Sequence, residues 1–307
     1  MADTSSFDWF SDLSPAIAAR DCWHDGTYSR IVSCQVTYGA DTPFAIACGA
    51  ALLAEHVRRF RFSPEVIQRL GQVSDAQGRS IFDESFLNHL QRLRLQVSLM
   101  APPEGTLLLP GEPLLIARGP EDQIRLLRSA FRLLFWESTH WATRAALQRW
   151  ENGQFVEEDT PSAPAWPFRP EGLKSRASFI GGAPMNQLDP PQKAPEAGSI
   201  WQENVPLVQI RRLFKGSTPL GDVWLTREQE EKAGVGVTTV HFRDEHTHRA
   251  RTVHYTRFQN IYQSVLSKGH PVLAAPRPGY FRQRTLKQME AFHKGHLEGY
   301  GQGWLAM

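Results

Sequence analysis

A proline-rich segment between residues 151 and 203 divides this chain and limits what it can fold into. Eight prolines fall within it, at positions 161, 164, 167, 170, 184, 190, 191 and 195. Proline lacks a backbone N–H and fixes φ, so a regular helix or a central strand does not continue through such a segment. We predict an extended connecting strap over residues 151–203, with the folded body built from the residues on either side of it.

The residues before the strap alternate between strand patterns and helix patterns. Apolar and polar residues alternate over 29–36, which predicts a strand, whereas residues 44–60 have apolar side chains at helical spacing. Ser63 followed by Pro64 is typical of a helix start, with Ser63 as the capping residue. Residues 120–150 form the longest helical pattern, with apolar side chains at intervals of three and four.

Strand patterns return after the strap and lead into one further helix. Residues 205–214, 221–225 and 235–242 have strand composition, and residues 286–297 predict a final helix. Because the elements on both sides carry apolar faces that need partners, we predict that they pack together as one α+β domain. The expected organisation is an N-terminal arm over 1–27, an α/β domain over 28–150 plus 204–307, and the proline-rich strap over 151–203.

The net charge of the 307-residue chain is only +2. Domains that bind nucleic acid are usually strongly basic, so this charge favours neither nucleic acid nor an anionic membrane as a partner. The first residues carry no basic and apolar leader, and no stretch approaches the ~18 apolar residues of a membrane span. Three cysteines, Cys22, Cys34 and Cys48, form no CxxC pair, which indicates reduced thiols and predicts a cytoplasmic protein.

The run PEGTLLLPGEPLLIARGP at residues 103–120 resembles the most recognisable stretch of the nicotinate phosphoribosyltransferase family. There, a Pro-Glu-Gly turn and a Pro-x-x-Pro-Leu-Leu stretch precede a long helix, and WESTHWATRAALQRW at 136–150 is similar to that helix. Residues 43–70 resemble the family's preceding helices. More loosely, residues 205–225 and 267–292 resemble its closing sheet and its final Pro-led helix.

This resemblance implies an α+β fold equivalent to the family's non-catalytic flanking domain. In such enzymes a barrel of parallel strands lies between the two flanking regions and binds phosphoribosyl pyrophosphate and nicotinate. Here about fifty residues occupy that interval, whereas a complete barrel needs roughly 200 or more. The family's Thr-Asp-x-Tyr, His-Ser and Arg-x-Asp-Ser-Gly-Asp motifs are absent from the sequence. We therefore expect most of the catalytic barrel to be missing, and we assign no catalytic residue.

One stretch within the strap resembles a remnant of the barrel. Residues 172–182, GLKSRASFIGG, are similar to the family's Gly-Leu-Arg-Arg stretch and to the Tyr-Ile-Gly-Gly that follows it. The resemblance predicts a phosphate site in which the cations Lys174 and Arg176 and the backbone of Gly181 and Gly182 cradle the ligand. Lys174 stands in place of the family's first arginine, so the bidentate fork that arginine offers a phosphate is lost there. The alternative is a flexible turn.

Four histidines lie within fourteen residues among the C-terminal strands. His241, His246 and His248, with Asp244 and Glu245 between them, have side chains competent to bind zinc or a similar metal. In a hairpin, His246 and His248 would share one face of a strand because side chains alternate with a period of two. The alternative is a polar turn that faces water, and the lack of a repeated ligand spacing favours it.

Two functions of different kinds follow. The first is a nicotinate phosphoribosyltransferase-like pseudoenzyme, a non-catalytic binding or regulatory subunit that docks on a protein partner or forms a homo-oligomer. In such enzymes one subunit's flanking domain meets the other subunit's barrel, so a chain without the barrel could cap the site of a full-length relative. The alternative is a phosphoribosyltransferase of nicotinate salvage, in NAD biosynthesis, with a reduced or altered active site. Only that alternative requires Mg²⁺ and phosphoribosyl pyrophosphate.

Overall fold

The computed structural model describes residues 12–39, 42–155, 199–203, 209–226, 229, 239–243, 249–272 and 278–305. Within these residues the α-helices are α1 (Ser14–His24), α2 (Ala50–Arg59), α3 (Pro64–Gly71), α4 (Glu84–Arg92), α5 (Glu121–Ala130), α6 (Glu137–Glu151) and α7 (Pro278–His293), and a π-helical segment, Phe131–Trp136, joins α5 to α6. The strands are β1 (Ile31–Tyr38), β2 (Ala45–Ile46), β3 (Ser98–Ala101), β4 (Leu107–Leu108), β5 (Pro113–Pro120), β6 (Ser199–Glu203), β7 (Gln209–Lys215), β8 (Thr218–Leu225), β9 (Thr239–Arg243), β10 (Ala250–His254), β11 (Arg257–Asn260), β12 (Gln263–Ser267), β13 (His270–Pro271) and β14 (Glu298–Leu305).

The first sheet joins strands from both sides of the proline-rich segment. Its order is β13–β12–β3–β5–β1–β6, and each neighbouring pair is antiparallel. β6 occupies the last five residues of the predicted strap and pairs with β1, so the end of the strap is a strand rather than a free connection. On the other side, Gln263 of β12 lies opposite Ala101 of β3. Segments that are distant in the sequence therefore complete one sheet.

The main hydrophobic core lies between this sheet and helices α1, α2, α4 and α5. Almost completely buried side chains come from each of these elements, among them Ala19, Leu53, Phe86, Leu99 and Leu127. Burying a side chain as large as Phe or Leu contributes about 1.5–3 kcal/mol. The apolar stripe that the sequence places along residues 120–150 is thus accounted for by packing.

The second sheet has the order β10–β9–β14–β8–β7–β11 and encloses a smaller core. Its β14 runs parallel to β8, whereas the other pairs are antiparallel. α7 packs between this part of the molecule and α6, and Phe281 and Met289 of α7 are buried together with Ala142 and Ala146 of α6. The fold is α+β, as predicted, and the described residues form no closed barrel.

The helix predicted over residues 44–60 begins only at Ala50. Side chains of α6 bind the backbone ahead of it and hold that backbone extended. The Ile46 N–H donates to Thr143 Oγ1 at 2.9 Å, and Thr139 Oγ1 exchanges hydrogen bonds with the N–H and C=O of Cys48. A helical spacing of apolar residues cannot reveal such partners, since they come from a distant element.

The single long helix predicted over residues 120–150 is interrupted in its middle by the π-helical segment. Ser138 donates its hydroxyl to the Leu134 carbonyl at 2.8 Å, four residues earlier, which satisfies a carbonyl within the wider turn. A π-segment of this kind is rare within an α-helix. Ser63, in contrast, caps α3 as predicted, because its hydroxyl accepts the Val66 N–H at 3.3 Å.

Both ends of the described chain are more ordered than the sequence patterns indicate. Residues 14–24 form α1, and its Ala16 and Ala19 are completely buried, although 1–27 was expected to be a loosely packed arm. The final helix runs over Pro278–His293 instead of 286–297. The N–H groups of Gly295 and His296 bind back to the Phe292 and Ala291 carbonyls, a pattern that ends a helix. None of the described helices has both the length and the apolar character needed to cross a membrane.

Candidate ligand-binding groove

A groove with a cavity volume of about 410 Å³ lies between α7 and one end of the second sheet. Tyr280, Gln283, Arg284 and Lys287 line its first wall at intervals that place them on one face of α7. The opposite wall is formed by residues of β7, β8 and β11 and their connections, among them Phe214, Ser217, Pro219, Gln259 and Asn260. This volume falls within the range of about 300–1,000 Å³ that small-molecule sites occupy.

The Pro-Glu-Gly turn at residues 103–105 determines where α7 lies. Gly105 has φ +77°, and a Cβ added there would lie only 2.3 Å from the Phe281 carbonyl oxygen. Thr285 donates its hydroxyl to the Gly105 carbonyl at 3.1 Å. On the other side of the turn, buried Glu104 accepts the Ala51 N–H at 3.2 Å, at the N-terminus of α2. The turn therefore clamps the first turns of two helices, one of which carries the groove's cations.

Arg212 of β7 forms the floor of the groove and is only 4% exposed. Its Nε and Nη2 donate to the two carboxylate oxygens of Asp222 at 2.7 and 2.6 Å, a bidentate pair between β7 and β8. The remaining donors bind Gln288 Oε1 at 2.5 Å and the Leu107 carbonyl at 2.7 Å. One guanidinium thus ties β7, β8, β4 and α7 together beneath the groove.

A second buried carboxyl group, Glu112, lies beside this pair. Burial away from water raises the pKa of Glu112 well above its usual range, and the neighbouring Asp222 carboxylate raises the pKa further. Glu112 is therefore neutral near pH 7, accepts the Leu109 N–H at 2.9 Å, and leaves Arg212 and Asp222 as a compensated pair of charges. Tyr262, whose pKa burial also raises, donates its hydroxyl to the Pro113 carbonyl at 2.5 Å. The floor is a neutral and rigid platform.

The cations that point into the groove are those of α7. Arg284 is positioned by Tyr280, because its guanidinium carbon lies 5.0 Å from the ring centroid and Nη2 donates to the hydroxyl at 3.2 Å. The Lys287 ammonium forms no ion pair or hydrogen bond within the described part of the chain. None of the lining residues is Asp or Glu. The groove is suited to an anion and lacks carboxylates that would hold Mg²⁺.

The structure tests the predicted site residues only in part. Lys174, Arg176, Gly181 and Gly182 lie outside the described residues, so the phosphate site predicted for them stays a prediction.

The same holds for two of the three predicted metal ligands. His246 and His248 lie outside the described residues, whereas His241 is on β9, exposed, with Nδ1 2.8 Å from Thr252 Oγ1 of β10. The residues that the structure describes contain no group of three or more His, Cys, Asp or Glu side chains that could hold a metal ion. His241 itself takes part in a cross-strand pair of side chains.

The groove residues were not identified from the sequence. The available signal was the run Tyr280, Gln283, Arg284 and Lys287, in which polar and aromatic side chains recur at three and four. A pattern of this kind is usually a solvated helix face, and only the position of β7 and β11 opposite it makes it the wall of a groove. The Arg212–Asp222 pair carries no local signature, since it joins neighbouring strands.

No protein-family model and no curated protein matches the sequence. Among solved structures, a human nicotinic acid phosphoribosyltransferase matches with a TM-score of 0.69 and 14% sequence identity, over 94% of this chain and 94% of that chain. A nicotinate-nucleotide pyrophosphorylase from Pyrococcus furiosus matches with a TM-score of 0.55 and 10% identity, over 92% of this chain and 94% of that chain. At these identities the likeness concerns the fold, which resembles that of phosphoribosyltransferases.

Proposed function

We propose that this chain is a nicotinate phosphoribosyltransferase-like binding protein without catalytic activity, which takes up a phosphate-bearing ligand in its groove and docks on a protein partner as a regulatory subunit. The observation that carries the proposal is the pairing of Arg284 and Lys287 in a groove with no carboxylate lining. Cations provide attraction for a phosphate, whereas transfer of a phosphoribosyl group also needs Mg²⁺ and the carboxylates that hold it.

The likeness in fold supports a ligand of this chemistry. The similar solved structures are named for enzymes of nicotinic acid and of nicotinate nucleotide. Phe214 and Tyr280 supply flat apolar surface next to the cations, and Gln259 and Asn260 supply amides on the opposite wall. A phosphorylated ligand with a ring, such as nicotinate mononucleotide, or phosphoribosyl pyrophosphate itself, matches this distribution of charge and apolar surface.

The alternative is a phosphoribosyltransferase of nicotinate salvage with an altered active site. Its support is the same likeness in fold, together with the resemblance of residues 172–182 to a phosphate-binding stretch. It requires a metal-dependent reaction, whereas the binding protein requires none. The two functions therefore differ in their dependence on Mg²⁺.

The test measures thermal unfolding of the full chain with nicotinate mononucleotide or phosphoribosyl pyrophosphate, each with and without Mg²⁺. A ligand at about 100 times its dissociation constant adds roughly 2.7 kcal/mol to the stability of the folded state. We expect a stabilisation that does not depend on Mg²⁺ and that the substitution Lys287→Ala abolishes. Lys294→Ala is the matched control, since this exposed lysine pairs with Glu290 just beyond α7.

A parallel assay with phosphoribosyl pyrophosphate, nicotinate and Mg²⁺ measures the release of pyrophosphate. Turnover above background would reject the non-catalytic role and establish the enzyme instead. The absence of any stabilisation at millimolar ligand, or equal stabilisation in the Lys287→Ala variant, would reject the groove as the binding site.

A further inference from the structure

A second concave surface, far from the groove in the fold, is lined by basic side chains. It lies where the end of α2, the segment before β3 and the β12–β13 hairpin meet, and it encloses a cavity volume of about 870 Å³. We call it the basic face and define it by five residues: Arg58, Arg61, Arg94, Lys268 and His270. The remaining lining residues are apolar or neutral, and none is Asp or Glu.

The β12–β13 hairpin is seated on the segment before β3 by a tight turn. Lys268 and Gly269 both have positive φ, +46° and +81°. A Cβ on Gly269 would lie 2.0 Å from the Leu95 carbonyl oxygen, so only glycine allows the turn to approach this closely. The Gly269 N–H donates to the Val97 carbonyl at 2.9 Å, and the Lys268 N–H donates to Ser98 Oγ at 3.1 Å. The fold therefore positions the hairpin's cations beside Arg94.

Most of these cations lack a compensating charge. Arg58 pairs with Glu55 on its own helix. The Arg61 and Arg94 guanidinium groups donate only to the neighbouring backbone carbonyls of Phe60 and Leu93. Within the part of the chain that the structure describes, the side chains of Lys268 and His270 form no ion pair or hydrogen bond. Like charges gathered on a folded surface repel one another, and an anionic partner relieves this repulsion.

Exposed apolar side chains accompany the charges. Ile31 lines the same depression with 56% of its surface exposed, and Val272, which follows β13 directly, is 53% exposed. These two are among three large hydrophobic side chains that the described residues leave exposed. A phosphate backbone gains nothing from such side chains, whereas a protein segment that mixes acidic and apolar residues gains from both.

We propose that the basic face docks an acidic segment of a protein partner, with carboxylates opposite Arg61, Arg94 and Lys268 and apolar side chains against Ile31 and Val272. Arginine suits this role because its planar guanidinium binds a carboxylate with two parallel hydrogen bonds. The inference rests on the proposed docking role and names its surface and the chemistry of the partner, but it does not depend on the groove.

The experiment measures binding of a fluorescent peptide composed of Glu, Asp and Leu to the full chain, by anisotropy. The double substitution Arg61→Glu and Lys268→Glu reverses two charges of the basic face. Because each attractive pair becomes a repulsive one, we expect about tenfold weaker binding. The control is Lys215→Glu with Arg249→Glu, which makes the same change of charge at exposed positions of the second sheet.

Further arms separate the possible outcomes. Ile31→Ser should weaken binding of the acidic–leucine peptide and leave binding of an all-glutamate peptide unchanged. Lys287→Ala should bind the peptide as the wild type does, so that failure of docking and failure of the groove are distinguishable. Equal loss in the two double variants, no measurable binding of the peptide, or tighter binding of single-stranded DNA than of the peptide would overturn the proposal.

Discussion

Replacing Glu112 by glutamine should stabilise the protein, and the gain should grow with pH. The Glu112 carboxyl is 3% exposed and carries its proton in the folded state, because burial and the nearby Asp222 carboxylate raise its pKa well above the usual range. Glutamine keeps this shape without a titratable proton. Its carbonyl can accept the Leu109 N–H, and its amide can donate to Asp222 as the protonated carboxyl does.

The magnitude follows from the difference in protons bound by the folded and unfolded states. The unfolded chain releases the Glu112 proton near pH ~4.3, whereas the folded protein retains it until the raised pKa is reached. The stability contributed by a raised pKa is thus complete below pH ~4.3 and is lost at about 1.4 kcal/mol per pH unit above it. The glutamine variant does not incur this loss, so its advantage over the wild type increases at that rate.

The assay is urea unfolding followed by tryptophan fluorescence, at a series of pH values from acidic to neutral. Glu84→Gln, at an exposed position in the first turn of α4, controls for the removal of a carboxylate elsewhere. If Glu112→Gln were less stable than the wild type at every pH, or if the difference between them were constant, Glu112 would be ionised in the folded protein. The reasoning about the neutral platform would then be wrong.

Two other substitutions test the scaffold of the groove. Arg212→Met leaves the Asp222 carboxylate buried without its counter-charge, and urea unfolding should show a loss of about 3–5 kcal/mol; a loss below about 1 kcal/mol would contradict the assigned network. Gly105→Ala forces a Cβ to within 2.3 Å of the Phe281 carbonyl, so its Tm should fall well below that of Gly111→Ala, whose φ is similarly positive but whose surroundings are open. Equal Tm values for the two glycine variants would show that α7 does not rest on the turn.

Local patterns in the sequence predicted the local features of the fold. The cap at Ser63, the strand over residues 31–38 and the α+β class depend on residues close together in the chain, and the structure has them. The start of α2 was misplaced because α6 contributes the hydrogen bonds that keep residues 46–48 extended. A pattern within one segment contains no information about a partner some ninety residues away.

The candidate site was beyond the sequence for the same reason. Arg212 joins Gln288 across 76 residues and Leu107 across 105, and neither contact leaves a periodic trace. The resemblance of residues 103–120 to a known family did indicate the turn that positions α7. The phosphate site expected at Lys174 and Arg176 remains a prediction, since both lie outside the described residues.

The first sheet has a consequence for how the chain is made. When β5 has left the ribosome, β1 and β3 can pair with it, but the outer edge of β1 awaits β6, and that of β3 awaits β12. Until then two strand edges present unpaired N–H and C=O groups, which is the arrangement that promotes edge-to-edge association between nascent chains. Completion of the sheet late in synthesis, with its distant pairings, should make folding slow and dependent on nearly the whole chain.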